Sequence, residues 1–145
     1  MDYKILTKLE LPEIAGKYLE YYNQCENGSW SYEKAYKRIH QIMTMEDSMC
    51  LIQYDDTAEI SGFMMGYYKQ FDDLKVYFLE EVVIFAGGHN KGYGTALLKE
   101  VELRIKQNGA DRIELISVSD EHHMHFYTKA GFRCMPTLTI MGKYF

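Results

Sequence analysis

No stretch of this sequence comes near the roughly 20 consecutive apolar residues that a bilayer-spanning helix needs. No basic segment leads into an apolar one either, so neither a membrane anchor nor a secretory leader is expected. Basic runs are also missing. With 16 Lys and Arg against 21 Asp and Glu, the net charge is −5, which argues against a nucleic-acid binder. The three cysteines, Cys25, Cys50 and Cys134, are odd in number and lack metal-ligand spacing. Free thiols in a reducing compartment are expected, and with them a cytoplasmic location. Linkers, internal repeats and low-complexity tracts are absent. The 145 residues (1–145) therefore read as one domain, long enough to bury a hydrophobic core.

What is abundant is tyrosine, at 13, and methionine, at 9. Tyr21, Tyr22, Tyr32, Tyr36, Tyr67, Tyr68 and Tyr77 crowd the first half. Packing in a core or an interface is the expected use, since aromatic rings bury large areas. The functional alternative is an aromatic-walled cleft for a cation, with Met64 and Met65 as an adaptable wall.

Periodicity sets the elements. Tyr3 to Thr7 alternates as a strand. Leu11 to Cys25 carries Leu11, Ile14, Ala15, Tyr18, Leu19 and Tyr22 at helical spacing, with Pro12 in the first turn and Asn27-Gly28 as the stop. Ser31 caps a second helix whose inner face is Ala35, Ile39, Ile42 and Met43. Strands are expected at Ser48–Tyr54, Glu59–Gln70 and Lys75–Phe85, then a helix over Thr95–Gln107 closed by Asn108-Gly109. A strand over Arg112–Val118, a short helix capped by Asp120, and a last strand or hairpin over Phe132–Phe145 complete the chain. The order β-α-α-β-β-β-α-β-α-β-(β) implies an α/β (α+β) fold: a mixed, mostly antiparallel sheet of six or seven strands with helices on both faces.

Between the strand ending at Phe85 and the following helix lies His89-Asn90-Lys91-Gly92-Tyr93-Gly94. A glycine-rich turn from strand to helix offers unpaired backbone N–H groups at the positive end of a helix dipole, a cradle for phosphate. A dinucleotide fingerprint needs a third glycine where Leu97 stands, and a P-loop needs Gly-Lys-Ser/Thr where Gly92 is followed by Tyr93. Both readings fail. A turn serving geometry alone is the remaining alternative.

The turn, the preceding strand Tyr77-Phe78-Leu79-Glu80-Glu81-Val82-Val83-Ile84, and the helix end Phe126-Tyr127-Thr128-Lys129-Ala130-Gly131-Phe132 occur at separations that resemble the GNAT superfamily of acetyl-CoA-dependent N-acetyltransferases. The stretch around Glu80 is similar to diamine acetyltransferases, and aminoglycoside acetyltransferases are a related comparison. The sequence departs from the family pattern at His89, usually Gln or Arg, and at Asp120 and His123, where the family tends to have Asn and a small Ala.

The resemblance implies a set of roles. Acetyl-CoA would be the co-substrate, its pyrophosphate held by His89, Asn90, Lys91, Gly92, Tyr93, Gly94 and Thr95. Its pantetheine arm would lie along the backbone of Val82, Val83 and Ile84, as an added strand with an N–H facing the thioester oxygen. Asp120 would stand beside the cofactor arm. An alkylamine with a pKa near 10 is almost wholly protonated at neutral pH, so a base must take its proton. Glu80 is the expected base because regular alternation puts it on the strand face of Val82, with Glu81 opposite unless a bulge intervenes. Tyr127 is the expected acid for the departing thiolate.

No metal is expected: His122 and His125 share a helix face, but a third ligand is not evident. Glu26, Asp72, Asp73, Glu80 and Glu81, with nearby tyrosines, favour a small cationic amine as acceptor. Neither a nucleic-acid nor a membrane partner is expected, and a homodimer fits the apolar edges. The competing readings are an acyl-CoA-binding sensor without catalysis and an enzyme acting on proteins or peptides.

Overall fold

The structure, a computed structural model, describes residues 1–85 and 87–145. Its strands are β1 (Asp2–Ile5), β2 (Ser48–Tyr54), β3 (Ile60–Gln70), β4 (Lys75–Ile84) and β5 (Arg112–Leu115). Its helices are α1 (Leu11–Cys25), α2 (Tyr32–Met43), α3 (Tyr93–Gln107) and α4 (Glu121–Lys129). The sheet runs β1-β2-β3-β4-β5, antiparallel except for the parallel β4–β5 pair, whose crossover is α3. Parallel neighbours need such a crossover because a tight hairpin cannot join them.

Both faces of the central strands are covered, so β2 and β3 read as near-continuous apolar runs. Cys50, Ile52, Phe63 and Met65 point to the side of α1 and α2, where they pack with Leu11, Ile14, Tyr18 and Ile39. Met49, Leu51 and Met64 point the other way and pack with Leu97, Leu98, Val101 and Ile105 of α3. Ser31 caps α2 as its sequence requires, its hydroxyl accepting from the Lys34 N–H at 3.2 Å.

One irregularity controls the site. Met65 pairs with Glu81 while Gly66 pairs with Leu79, so Glu80 is an extra residue on β4. Such a bulge shifts the phase of alternation along the strand. Upstream, Tyr77 and Leu79 enter the α3 core; downstream, that face belongs to Val82 and Ile84. Gly66 lies opposite the bulge, where an added Cβ would meet the Phe78 carbonyl oxygen and the Tyr77 hydroxyl at 2.4 Å.

Several boundaries move relative to the periodicity: β1 spans Asp2–Ile5 and not Tyr3–Thr7, and β3 and β4 are each one residue shorter at one end. Gly92, at φ +77°, is the N-cap of α3 and starts the helix at Tyr93 instead of Thr95. Strand β5 ends at Leu115, short of Val118. The expected last strand does not form, so the sheet has five strands among the described residues, not six or seven. A strand exists only with a pairing neighbour. Here a turn closed by the Leu138 N–H to the Met135 carbonyl precedes a segment without sheet partners.

Gly66→Ala is expected to destabilise the protein by about 1–3 kcal/mol, as overpacking does. Gly16→Ala meets nothing within 4 Å inside α1 and should stabilise it by roughly 1 kcal/mol through helix propensity. Urea denaturation of the two variants checks both signs; equal midpoints would show that the contact at Gly66 relaxes freely.

Candidate active site

The bulge brings Glu80 and Glu81 to the same face. Glu80 accepts from the Arg38 guanidinium of α2 at 2.9 Å, and Glu81 lies 3.8 Å from the same Nη2. Glu81 also accepts from the Tyr18 hydroxyl at 3.0 Å and from the Tyr22 hydroxyl, both on α1. Tyr18 and Tyr22 share a helix face at i, i+4, and their rings pack on each other and on Trp30. Regular alternation had assigned Glu80 to the face of Val82. The structure corrects this: Val82 faces α3, and both carboxylates face α1 and α2.

Burial pushes the Glu81 carboxyl up, against the opposing pull of the Tyr22 and Tyr18 hydrogen bonds and of Arg38. Desolvation together with the Glu81 charge raises both tyrosines well above the ordinary phenol range, so they stay donors. Arg38 was not among the residues singled out in the sequence. Its signal was available, since it follows Ala35 by three and precedes Ile42 by four on the inner face of α2.

Beyond the bulge β4 opens. Its pairing with β5 stops at Leu79–Leu115, while β4 itself continues to Ile84. The Phe85 N–H binds the Ser61 carbonyl, so in the antiparallel ladder Phe85 and Val83 turn their polar backbone groups to β3. Val82 and Ile84 turn theirs toward the gap. Of the expected backbone triplet, then, two members face the gap and Val83 does not. The Ile84 carbonyl is bonded by His89 Nε2 at 2.9 Å, and the His89 ring stacks on Tyr21 with centroids 5.8 Å apart.

At the far end of the gap lies the glycine turn. Helical bonding begins with the Ala96 N–H to the Gly92 carbonyl, so the N–H groups of Tyr93, Gly94 and Thr95 in the first turn of α3 have no backbone acceptor among the described residues. Asn90, Lys91 and Gly92 precede them in the turn, with Lys91 exposed. Gly94 has a packing reason to be glycine, for an added Cβ would stand 3.1 Å from the Phe126 ring of α4. The fully buried Gln53 pins this corner from β2: its Nε2 donates to the Tyr93 carbonyl at 3.0 Å, and its Oε1 accepts from Ser61 at 3.1 Å.

On α4, Tyr127 packs between Phe126 and Phe132. Burial and then the Glu81 charge raise its hydroxyl above the ordinary value. Asp120 is engaged as the cap of α4, accepting from the His123 N–H at 2.8 Å and contacting its ring Nδ1 at 2.7 Å.

The acidic residues do not all gather. Glu26 accepts from Tyr21 at 3.1 Å, but Asp72 and Asp73 sit in the β3–β4 turn before Lys75, which is itself about 17 Å from Glu80 along the strand at roughly 3.3 Å per residue. Among the described residues, no three His, Cys, Asp or Glu side chains converge as a metal would require. No helix among them is long and apolar enough to cross a membrane.

A sequence profile described as the acetyltransferase (GNAT) family matches residues 15–132. The chain belongs to that family. Its members generally use acetyl-CoA, which supports an acyltransferase. An uncharacterized Bacillus subtilis protein, YxbD, is 32% identical over 80 residues, which span 54% of this chain and 46% of that relative. The chain thus aligns with about half the length of the curated relative it matches.

Among solved structures, a probable acetyltransferase superposes with a TM-score of 0.83 at 15% identity, covering 100% of this chain and 98% of the other. The aminoglycoside 6′-N-acetyltransferase AAC(6′)-Ig of Acinetobacter haemolyticus gives 0.74 at 16% identity, covering 100% and 99%. A GNAT family acetyltransferase of Staphylococcus aureus gives 0.75 at 16%, covering 99% and 98%. These likenesses establish the fold.

The raised carboxyl of Glu81 has a consequence for stability. A folded-state pKa above the unfolded one means that the native chain holds the proton more tightly. The contribution is present below the ordinary glutamate value near 4.5 and is lost as pH rises through the folded value. Glu81→Gln should therefore gain stability relative to the wild type as pH is raised from about 4.5 to neutrality. Urea denaturation at several pH values reads this difference. A variant that loses ground on raising the pH would mean that Arg38 and the tyrosines outweigh desolvation.

Proposed function

We propose that this protein is an N-acetyltransferase that moves the acetyl group of acetyl-CoA to the primary amine of a small cationic acceptor. The observation that carries this reading is the bulge, which sets two carboxylates and a ring of tyrosines beside a strand whose backbone opens toward an unfilled neighbour position. The residues fit the co-substrate. Val82 and Ile84 have polar backbone groups facing the gap, and the first-turn N–H groups of Tyr93, Gly94 and Thr95, with Lys91 nearby, suit an anion. Asn90, Gly92 and His89 belong to the same turn. His89 holds the Ile84 carbonyl and stacks on Tyr21, so its part in the cofactor site is through the shape of the turn. Asp120 contributes in the same way, by starting α4.

When bound, acetyl-CoA supplies an activated acyl group. The chain's own residues supply the proton chemistry. Glu81 is the better base of the pair, for burial raises its carboxyl and so gives its carboxylate form a greater affinity for the amine's proton. Glu80 holds Arg38, and Arg38 offsets part of the acidic charge, which favours an acceptor with few cationic groups over a long polycation. Tyr127 keeps its proton at neutral pH and serves as the donor toward the leaving sulfur. The tyrosines and Trp30 wall the acceptor side and suit an ammonium group. The free thiols Cys25, Cys50 and Cys134 suit a reducing, cytoplasmic setting.

Thiol release measured over a panel of free amines, with thermal shift by acetyl-CoA alongside, tests the proposal. A shift without release for any amine would favour a sensor. Release with peptides alone would favour a protein-modifying enzyme. In the active case Tyr127→Phe should slow transfer at least about tenfold, a floor set below the roughly 10²- to 10⁴-fold reach of acid–base catalysis, while coenzyme A affinity is kept. Glu81→Gln should lose more activity than Glu80→Gln; the reverse order returns the base to Glu80.

A further inference from the structure

Glutamine is a costly side chain to bury, because its amide brings donors and an acceptor that must be met away from water. Gln53 on β2 is fully buried, and its amide is met throughout. Nε2 donates to the Tyr93 carbonyl at 3.0 Å and to the Tyr3 hydroxyl at 3.4 Å, while Oε1 accepts from the Ser61 hydroxyl at 3.1 Å. An apolar side chain of similar size would avoid that cost altogether.

Ser61 is itself an irregularity. Gln53 pairs with Gly62 while Tyr54 pairs with Ile60, so Ser61 is an extra residue on β3, a second bulge in the sheet. Its hydroxyl turns to Gln53, and its carbonyl accepts from the Phe85 N–H at 2.9 Å. Phe85 is where the chain leaves β4 for the glycine turn, and Tyr93 is where it enters α3. One buried pair therefore holds both ends of the turn, Ser61 the entry and Gln53 the exit. Gly62 leaves room for the pair, since an added Cβ would stand 2.8 Å from the Val83 carbonyl oxygen and 3.4 Å from Gln53 Oε1.

The bond at the exit has a direction. A peptide unit is planar and trans, so its C=O and N–H point opposite ways. Holding the Tyr93 carbonyl toward Gln53 aims the Gly94 N–H the other way, as one of the first-turn donors without a backbone acceptor. Donors ordered before the anion arrives bind it more tightly than donors ordered by it. We propose, resting on the acetyl-CoA reading of that turn, that Gln53 and Ser61 form a clasp that holds it in its anion-binding shape. Gln53 is then a positioning residue for coenzyme A. It acts through the Tyr93–Gly94 peptide and cannot touch the cofactor, since no part of it is exposed.

Calorimetric titration with coenzyme A, amide exchange of the ligand-free chain and urea denaturation test this. Gln53→Met keeps the bulk and removes the amide. It is expected to weaken coenzyme A binding about tenfold, the scale of one lost buried hydrogen bond, with kcat at saturating acetyl-CoA kept. The Gly94 and Thr95 amides should exchange faster in this variant before any ligand is added. Ser61→Ala should weaken binding less, and should add almost nothing to Gln53→Met, since members of one network are not additive. If Gln53→Met does not fold, Ser61→Ala carries the same binding and exchange test. Ile52→Val, one residue along β2 and packed on the side of α1 and α2, controls for lost stability. Its affinity should stay within about twofold of the wild type, as for uncoupled sites. A folded clasp variant that binds as the wild type does, or whose first-turn amides exchange no faster, overturns the clasp and leaves the acetyl-CoA reading standing. Losses that match those of Ile52→Val, or that add fully between Gln53→Met and Ser61→Ala, overturn it as well. A wild type without affinity for coenzyme A fails the acetyl-CoA reading and the clasp with it.

Discussion

A β-strand cannot leave its N–H and C=O groups bare without cost, and β4 does so beyond Leu79. On one side β3 satisfies it to Ile84; on the other, β5 departs after Leu115. Backbone polar groups in such a position are either solvated or met by something strand-like. The residues of the proposed site are arranged around that opening. The glycine turn stands at its end, Tyr127 and Phe126 come from the helix beyond β5, and Gln53 ties the turn to the central sheet.

A regular β4 would put a single carboxylate on the face of α1 and α2. The bulge at Glu80 breaks the alternation within the strand, so that two consecutive acids face the same helices. The first is ion-paired to Arg38, and the second is buried under tyrosine hydroxyls. Adjacent carboxylates repel, and a single guanidinium between them lowers that cost while leaving Glu81 with its carboxyl raised. The same arrangement distributes the work between the two helices: α2 brings the cation, α1 the hydroxyls.

Most of the architecture was legible in the sequence, and for identifiable reasons. The helices over Leu11–Cys25 and Tyr32–Met43 have strong apolar periodicity, Ser31 caps the second, and β2 to β4 are long runs bounded by acidic turns. What could not be read was pairing. A bulge is a property of two strands, so the face of Glu80 was hidden from alternation along one. The fate of 132–145 was hidden for the same reason, since its strand pattern is real but nothing in the pattern names a neighbour. In the site, Tyr127 and the glycine turn were visible because local motifs carry them. Arg38 was missed because a single cation on a helix face is ordinary until its partners are known. His89 was legible as a turn residue, but its bond to the Ile84 carbonyl needed the third dimension.

Glu80 is the residue that the β3–β4 ladder does not count. Removing it would leave Gly66 opposite Leu79 and Met65 opposite Glu81, with both cores in their present phase. The sheet would close over the deletion as if nothing had been there. A carboxylate carried on such an insertion is uncoupled from the packing that surrounds it. A lineage can gain or lose that acid in one step, and need not repack either face of the sheet to do so.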